Sequence, residues 1–379
     1  MKKLVALLLA AVVCVGCLAG CGGKGDGGYE IALITDKGNI DDKSFNQGAW
    51  EGVVEFAEKN NISRQYYKPE EANDAGYFAA IKLAIQGGAK VVVTPGYLFE
   101  VAVYEAQKEY PEVKFILLDG QPHTADYATY ETASNTASVM YAEQESGYLA
   151  GYAAVKDGNM KLGFMGGMAV PAVQAFGYGF LQGAEAAAKE LGLADDAVSV
   201  LYHYTGNFEE NDTNKQTAAA MYQSGAEVIF ACGGSVGKSV MAAAAEAGKK
   251  VIGVDVDQRY DSETVLTSAT KGLGASVIAV LESIYKTDSF ATYAGKSTYF
   301  NASNDGVGLP TTVIGDANGN AFDRFAKFTK ADYDVVFASL ANGSITPIRA
   351  ITVENANGVA TAQELTTSLG LAKVAVETR

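Results

Sequence analysis

Short runs of aliphatic and β-branched residues recur along the chain, separated by helical stretches whose apolar faces are rich in alanine. The runs predict strands at "YEIALITD" (29–36), "RQYYKP" (64–69), "KVVVTPG" (90–96) and "KFILLDG" (114–120). A second set follows at "KLGFMGG" (161–167), "SVLYHYTG" (199–206), "EVIFACGG" (227–234) and "KVIGVDVD" (250–257). Between them, "YFAAIKLAIQGG", "QTAAAMYQSGA" and "SVMAAAAEAGKK" carry helical spacing. Alternation of this kind predicts an α/β fold of parallel sheets with helices on both faces.

The two sets read as copies of one plan. "SFNQGAWEG" (44–52) and "AFGYGFLQG" (175–183) share a phenylalanine, then glycines three and seven residues on. "GAKVVVTPG" (88–96) aligns with "GAEVIFACG" (225–233), and an aspartate ends the next apolar strand in each copy, Asp119 and Asp255. The sequence therefore predicts two lobes, 29–145 and 146–296, with crossover segments from about 297–350 and a segment 351–379 packed on the lobes. Segments near 297–301 and 344–348 are expected to cross back between lobes. Ligands of open α/β sheets sit beyond the carboxyl ends of the strands. The informative residues are those just past each strand.

The start of the chain reads differently. Lys2 and Lys3, a short apolar run and "LAGC" (18–21) form a leader over 1–20, and the small residues before Cys21 resemble the lipobox of bacterial lipoproteins. Cys21 is then the expected lipid anchor to the cell membrane on the extracytoplasmic side, and 21–28 a glycine-rich tether. After this processing only Cys232 remains, so no intramolecular disulfide is expected. Net charge is −15, and 27 basic against 44 acidic residues leave −17 without the two leader lysines. This balance argues against nucleic acid as a partner and favours a neutral or cationic small ligand.

Candidate chemistry concentrates at strand ends. In "TDKGNIDDKSFNQGAW" (35–50), Ser44 and Gln47 fit a capping box, which puts Phe45 and Asn46 on the first helical turn at the cleft edge. A core position explains Phe45 equally well. Turn and helix-dipole chemistry accounts for Asp41 and Asp42. A metal reading of these aspartates resembles the calcium loop DxDPGxDD of nucleoside hydrolases, but its first aspartate is Ile34 here and the spacing is one residue too long. "CGGSVGKS" (232–239) has Cys232 where a phosphate loop needs its first glycine, so a backbone approach to ligand at Gly233 and Gly234 is expected instead. With two histidines, His123 and His203, and no G-x-S-x-G elbow, the sequence predicts neither metal, cofactor nor catalysis. Phe208 stands in the polar loop "TGNFEENDTN", as a loop anchor or a stacking surface. Asp36, Asp119 and Asp255 are acceptors at strand ends, and Lys271 in "TSATKGLG" is the cation placed to reach the same cleft.

Together "DDKSFNQGAWEG", "GFMGGMAVPAVQAFGYGFLQG", "YTGNFEENDTNKQTAAAMYQSGAEVIF", "IGVDVDQ" and "LTSATKG" resemble the basic membrane protein family, over roughly residues 29–350. These are substrate-binding lipoproteins of ABC importers, and their purine receptors bind nucleosides. The resemblance implies a two-lobed periplasmic-binding fold of the ribose-binding type, a monomer that delivers its ligand to a membrane permease. It implies a base held between Phe45 and Phe208, with Asp36, Asn46 and Asp119 on the base side and Gly234, Asp255 and Lys271 serving the ribose. Tyr97 and Phe99 are bulky residues expected to reshape the base end. A sugar, another small signalling molecule or a sensor role are the alternatives within binding proteins, and a nucleoside hydrolase the alternative outside them.

Overall fold

The computed structural model describes residues 29–316 and 318–379; the leader, Cys21 and the tether lie outside the described residues. Each of the eight apolar runs forms a strand. The first lobe opens with β1 (Ile31–Ile34), α1 (Phe45–Asn60), β2 (Arg64–Tyr67) and α2 (Asp74–Gln86). It continues through β3 (Val91–Pro95), α3 (Glu100–Glu109), β4 (Lys114–Leu118) and β5 (Thr136–Tyr141). The second lobe holds α4 (Glu143–Lys156), β6 (Lys161–Gly166), α5 (Pro171–Glu190), β7 (Val198–Tyr204) and α6 (Asp212–Gln223). Then come β8 (Val228–Cys232), α7 (Val236–Ala247), β9 (Lys250–Asp255) and β10 (Val265–Lys271). The remainder is α8 (Leu273–Tyr285), β11 (Ser297–Phe300), β12 (Val307–Gly308), α9 (Lys330–Ala341), α10 (Ala362–Leu369) and β13 (Val374–Thr378).

The strands make a six-stranded sheet, order β11-β5-β4-β3-β1-β2, and a seven-stranded sheet, order β12-β10-β9-β8-β6-β7-β13. All pairs are parallel except β10 with β12. Helices cover both faces, so the central strands read as unbroken apolar runs and Ile31, Leu33, Val93, Ile116 and Phe230 are fully buried. Full burial of each such side chain contributes about 1.5–3 kcal/mol.

Among the described residues the chain crosses between lobes three times: after Tyr141, after Lys271 and after Phe300. These crossings correct the predicted boundaries. Helix α4 already packs on α5 in the second lobe, so the join precedes residue 145. Residues 273–296 do not belong to the second lobe throughout, because α8 packs on α1 and a Cβ on Gly52 would lie 2.7 Å from the Gly274 Cα. Strand β11 does cross back, but 344–348 does not. Ile348 instead exchanges hydrogen bonds with Gln182 of α5, at 2.8 and 2.9 Å. The 351–379 segment joins the second lobe, where β13 extends the sheet beside β7, and α9 lies by the third crossing.

The repeated glycines now have a cause. Gly179 and Gly183 of α5 face the backbone carbonyls of Gln144 and Tyr148, while Gly147 and Gly151 of α4 face those of Phe176 and Phe180. A methyl group at any of the four would overlap a carbonyl oxygen. Gly183→Ala is therefore expected to lower stability by about 1–3 kcal/mol, read from the urea midpoint. An unchanged midpoint would mean that the two helix backbones do not touch.

Candidate ligand-binding cleft

The carboxyl ends of both sheets face one another across a cavity with about 780 Å³ of space free of protein, part of it open to solvent. That is the size range of small-molecule pockets. All eight residues singled out from the sequence line it: Asp36, Phe45, Asn46 and Asp119 from the first lobe, and Phe208, Gly234, Asp255 and Lys271 from the second. Leu98, Val170, Val173 and Phe176 add apolar wall. Tyr97 lines the cavity as expected, whereas Phe99 is buried in the first lobe, 4.4 Å from the Tyr77 ring centre.

The loop before α1 is built on Asp42. Its Oδ1 accepts from the backbone N–H of Ser44 (2.8 Å) and Gln47 (3.1 Å), and its Oδ2 from that of Asn46 (3.1 Å). Asp42 therefore caps the helix, and the predicted Ser44–Gln47 box does not form. A charged acceptor two residues earlier outcompetes the hydroxyl for the same donors. Ser44 Oγ, freed from capping, donates to Asp255 Oδ2 of the other lobe at 2.5 Å. Asn46 spends both amide hydrogens on carboxylates, Asp36 Oδ1 and Asp42 Oδ2, each at 2.8 Å. Its Oδ1 accepts from the Asp36 N–H at 3.2 Å. Asn46 thus fixes Asp36, which burial holds above the usual carboxylate range.

Asp119 and Asp255 occupy equivalent places after β4 and at the end of β9, and both take left-handed backbone conformations, φ 55° and 67°. Non-glycine residues pay for that geometry, and it clusters at functional sites. One oxygen of Asp119, Oδ1, is buried with no hydrogen-bond partner among the described residues. The other binds Lys271 Nζ. Lys271 also lies 3.8 Å from Asp255 Oδ1 and 3.6 Å from Glu143 Oε1, with its side chain only 2% exposed. Three rings surround the ammonium, with centres at 4.7 Å (Phe45), 5.3 Å (Phe176) and 5.4 Å (Tyr141). Burial opposes this charge, yet the carboxylates of Asp119, Glu143 and Asp255 outweigh it and hold Lys271 above the usual lysine range. Burial pushes Asp255 up to about 6 despite Lys271 and Ser44, and raises Glu143 too, against the pull of Lys271 and Arg349.

The Phe208 ring packs against Gly167, where a Cβ would strike it. Asn214 ties its loop by donating to Asn207 Oδ1 (2.9 Å) and the Glu209 carbonyl (2.7 Å). At Gly234 the backbone turns with φ 56° beside Phe208. Cys232 also lines the cavity, and burial raises its thiol well above the usual range. The lobes touch around the cavity, where Gln258 Nε2 donates to the Lys43 carbonyl at 2.6 Å.

Sequence reasoning missed Phe176 and Glu143. Phe176 had a signal, since the internal repeat aligns it with Phe45. Glu143 had none, because a glutamate in a first helical turn is ordinary dipole chemistry.

Two parallel-sheet lobes joined by three crossings, with a cavity at the facing strand ends, define an α/β solute-binding protein of the periplasmic type. Residues 30–335 match the family described as ABC transporter substrate-binding protein PnrA-like, and the chain belongs to that family. It is 32% identical over 355 residues to the ABC transporter nucleoside-binding protein BmpA of Lactococcus lactis subsp. cremoris, covering 84% of this chain and 95% of that protein. Basic membrane protein A of Borreliella burgdorferi is 30% identical over 296 residues, 76% of this chain and 81% of that one. An ABC transporter solute-binding protein from Aeropyrum pernix K1 shares the fold with a TM-score of 0.72 at 22% identity, over 85% and 94% of the two chains. Among the described residues no helix is long and apolar enough to cross a membrane.

Proposed function

We infer that this substrate-binding protein captures a purine nucleoside in its interlobe cleft and delivers it to an ABC permease, anchored to the membrane through a lipid on Cys21. The observation that carries the ligand is the placement of Phe45 and Phe208 on opposite lobes of one cavity, beside carboxylates fixed at strand ends. A flat base gains stacking from such rings, and buried carboxylates accept from ring N–H groups and from a sugar diol. Asp36, held by Asn46, and the unpartnered Asp119 Oδ1 serve the base. Asp255, Lys271 and the turn at Gly234 serve the ribose. The apolar wall of Leu98, Val170 and Val173 suits a nucleobase better than a free sugar. The nucleoside-binding relative from Lactococcus lactis supports the same reading.

Calorimetric titration of the ligand-stripped protein with guanosine, inosine, adenosine, uridine, cytidine and ribose tests it. One-to-one binding of purine nucleosides with a Kd of about 1 μM or below is expected, with ribose silent. Phe208→Ala should lose about 1–3 kcal/mol of purine affinity, the range for stacking on an aromatic platform. Silence across the panel from folded protein would remove the nucleoside assignment.

A further inference from the structure

Below the cavity floor, Glu143 is fully buried and does not line the cavity among the described residues. It opens α4 just after the first crossing, and Lys271 ends β10 just before the second. One carboxylate oxygen, Oε1, lies 3.6 Å from the Lys271 ammonium, and the other accepts from Arg349 Nη2 at 2.8 Å. Arg349, on the segment after α9, also reaches the Tyr141 carbonyl at 3.5 Å.

We propose that Glu143, backed by Arg349, is a positioning residue for ligand capture: it holds the Lys271 ammonium back toward the hinge and leaves Asp255 free to accept from the ligand. The reading of the cleft as a nucleoside site underlies this role. The ammonium is hydrogen-bonded to Asp119, while Glu143 and Asp255 lie at 3.6 and 3.8 Å, both beyond hydrogen-bond length. It is therefore balanced between two carboxylates by charge alone. Lysine carries its charge on a flexible four-carbon stem. Without the pull of Glu143, the ammonium moves onto Asp255 and occupies the acceptor that a ribose hydroxyl needs. Arg349 holds Glu143 in place and favours its ionised form, and does so without lining the cavity. Because Glu143 and Lys271 flank two different crossings, the same pair joins the binding groups to the hinge.

Four variants of the full mature protein, titrated with the purine nucleoside that wild type binds most tightly, decide the matter. Glu143→Gln keeps shape and removes charge, and is expected to raise Kd by about ten-fold or more. Arg349→Met should raise it by about three- to ten-fold, and Arg349→Lys, which keeps the charge, should recover most of that loss. The double variant Glu143→Gln/Arg349→Met should bind within about two-fold of Glu143→Gln, since residues in one network are not additive. A Glu143→Gln protein that binds like wild type overturns the proposal, as do losses that multiply in the double variant. If Glu143→Gln does not fold, the Arg349 pair decides: equal affinity of Met and Lys variants overturns it, and loss with recovery supports it. Wild type that binds no nucleoside would defeat the cleft reading itself, a separate result.

Discussion

Replacing Lys271 with methionine is expected to lower the unfolding free energy by about 3–5 kcal/mol at neutral pH, because it removes the cation from a buried set of three carboxylates. Methionine has similar length and keeps contact with the Phe45, Phe176 and Tyr141 rings, so the packing loss is small. What remains is charge: Asp119, Glu143 and Asp255 would share the interior with only Arg349 at the edge of the cluster. The deficit should fade with acidification, as Asp255, already pushed up to about 6, and Glu143, also raised by burial, take up protons. Urea melts of wild type and variant across that range measure it. A deficit of equal size at every pH would assign Lys271 to packing and not to charge balance.

Asp255→Ala should weaken nucleoside binding by about 1.5–3 kcal/mol, the worth of a hydrogen bond to a charged group. It also removes the acceptor of the Ser44 hydroxyl, one of the contacts by which the lobes meet. The pH dependence carries a definite sign. Burial holds Asp255 near 6, so the ionised acceptor is lost as pH falls through that value, and Kd should rise by about ten-fold per pH unit below it. Stability moves the other way. A carboxyl with a raised folded-state pKa contributes stability that is complete below its unfolded value and lost as pH rises through the folded one. Mild acid should therefore weaken capture while the Asp255 contribution to the empty fold improves. Ligand titrations and urea melts of the empty protein at several pH values read the two trends, and Asp255→Asn should flatten the affinity profile. A wild-type Kd constant across pH 6 would exclude Asp255 as the ionised acceptor.

The parts of this protein legible in its sequence are those set by local rules. The central apolar runs became strands because burial on both faces requires an unbroken apolar stretch, and the aspartates at the ends of β4 and β9 could be placed at the cleft from strand order alone. The glycine repeat was readable as a pattern, but not as helix contact, since its meaning depends on α4 and α8, helices that arrive from the opposite lobe. Choices between neighbouring donors and acceptors were not readable. Ser44 and Asp42 both suit a cap, and only the position of Asp255, 211 residues away, shows what the serine does instead. Glu143 and Arg349 meet across 206 residues, so neither local pattern marks them. The edge strand β12, Val307–Gly308, is too short to show a periodicity.

The traffic of helices between lobes sets the order in which the chain can be finished. The first lobe begins the chain, yet lacks α8 and β11 until residue 300 is available, and the second lobe lacks its edge strand until Thr378. Contacts of such long sequence separation form late and slowly. As the chain emerges, the N-terminal half has the glycine face of α1 and one side of β5 uncovered, and that exposure lasts until α8 and β11 follow, at Tyr285 and Phe300. A nick or truncation between β5 and β6 should consequently release no independently stable half: the two lobes are separate in shape but share one folding event.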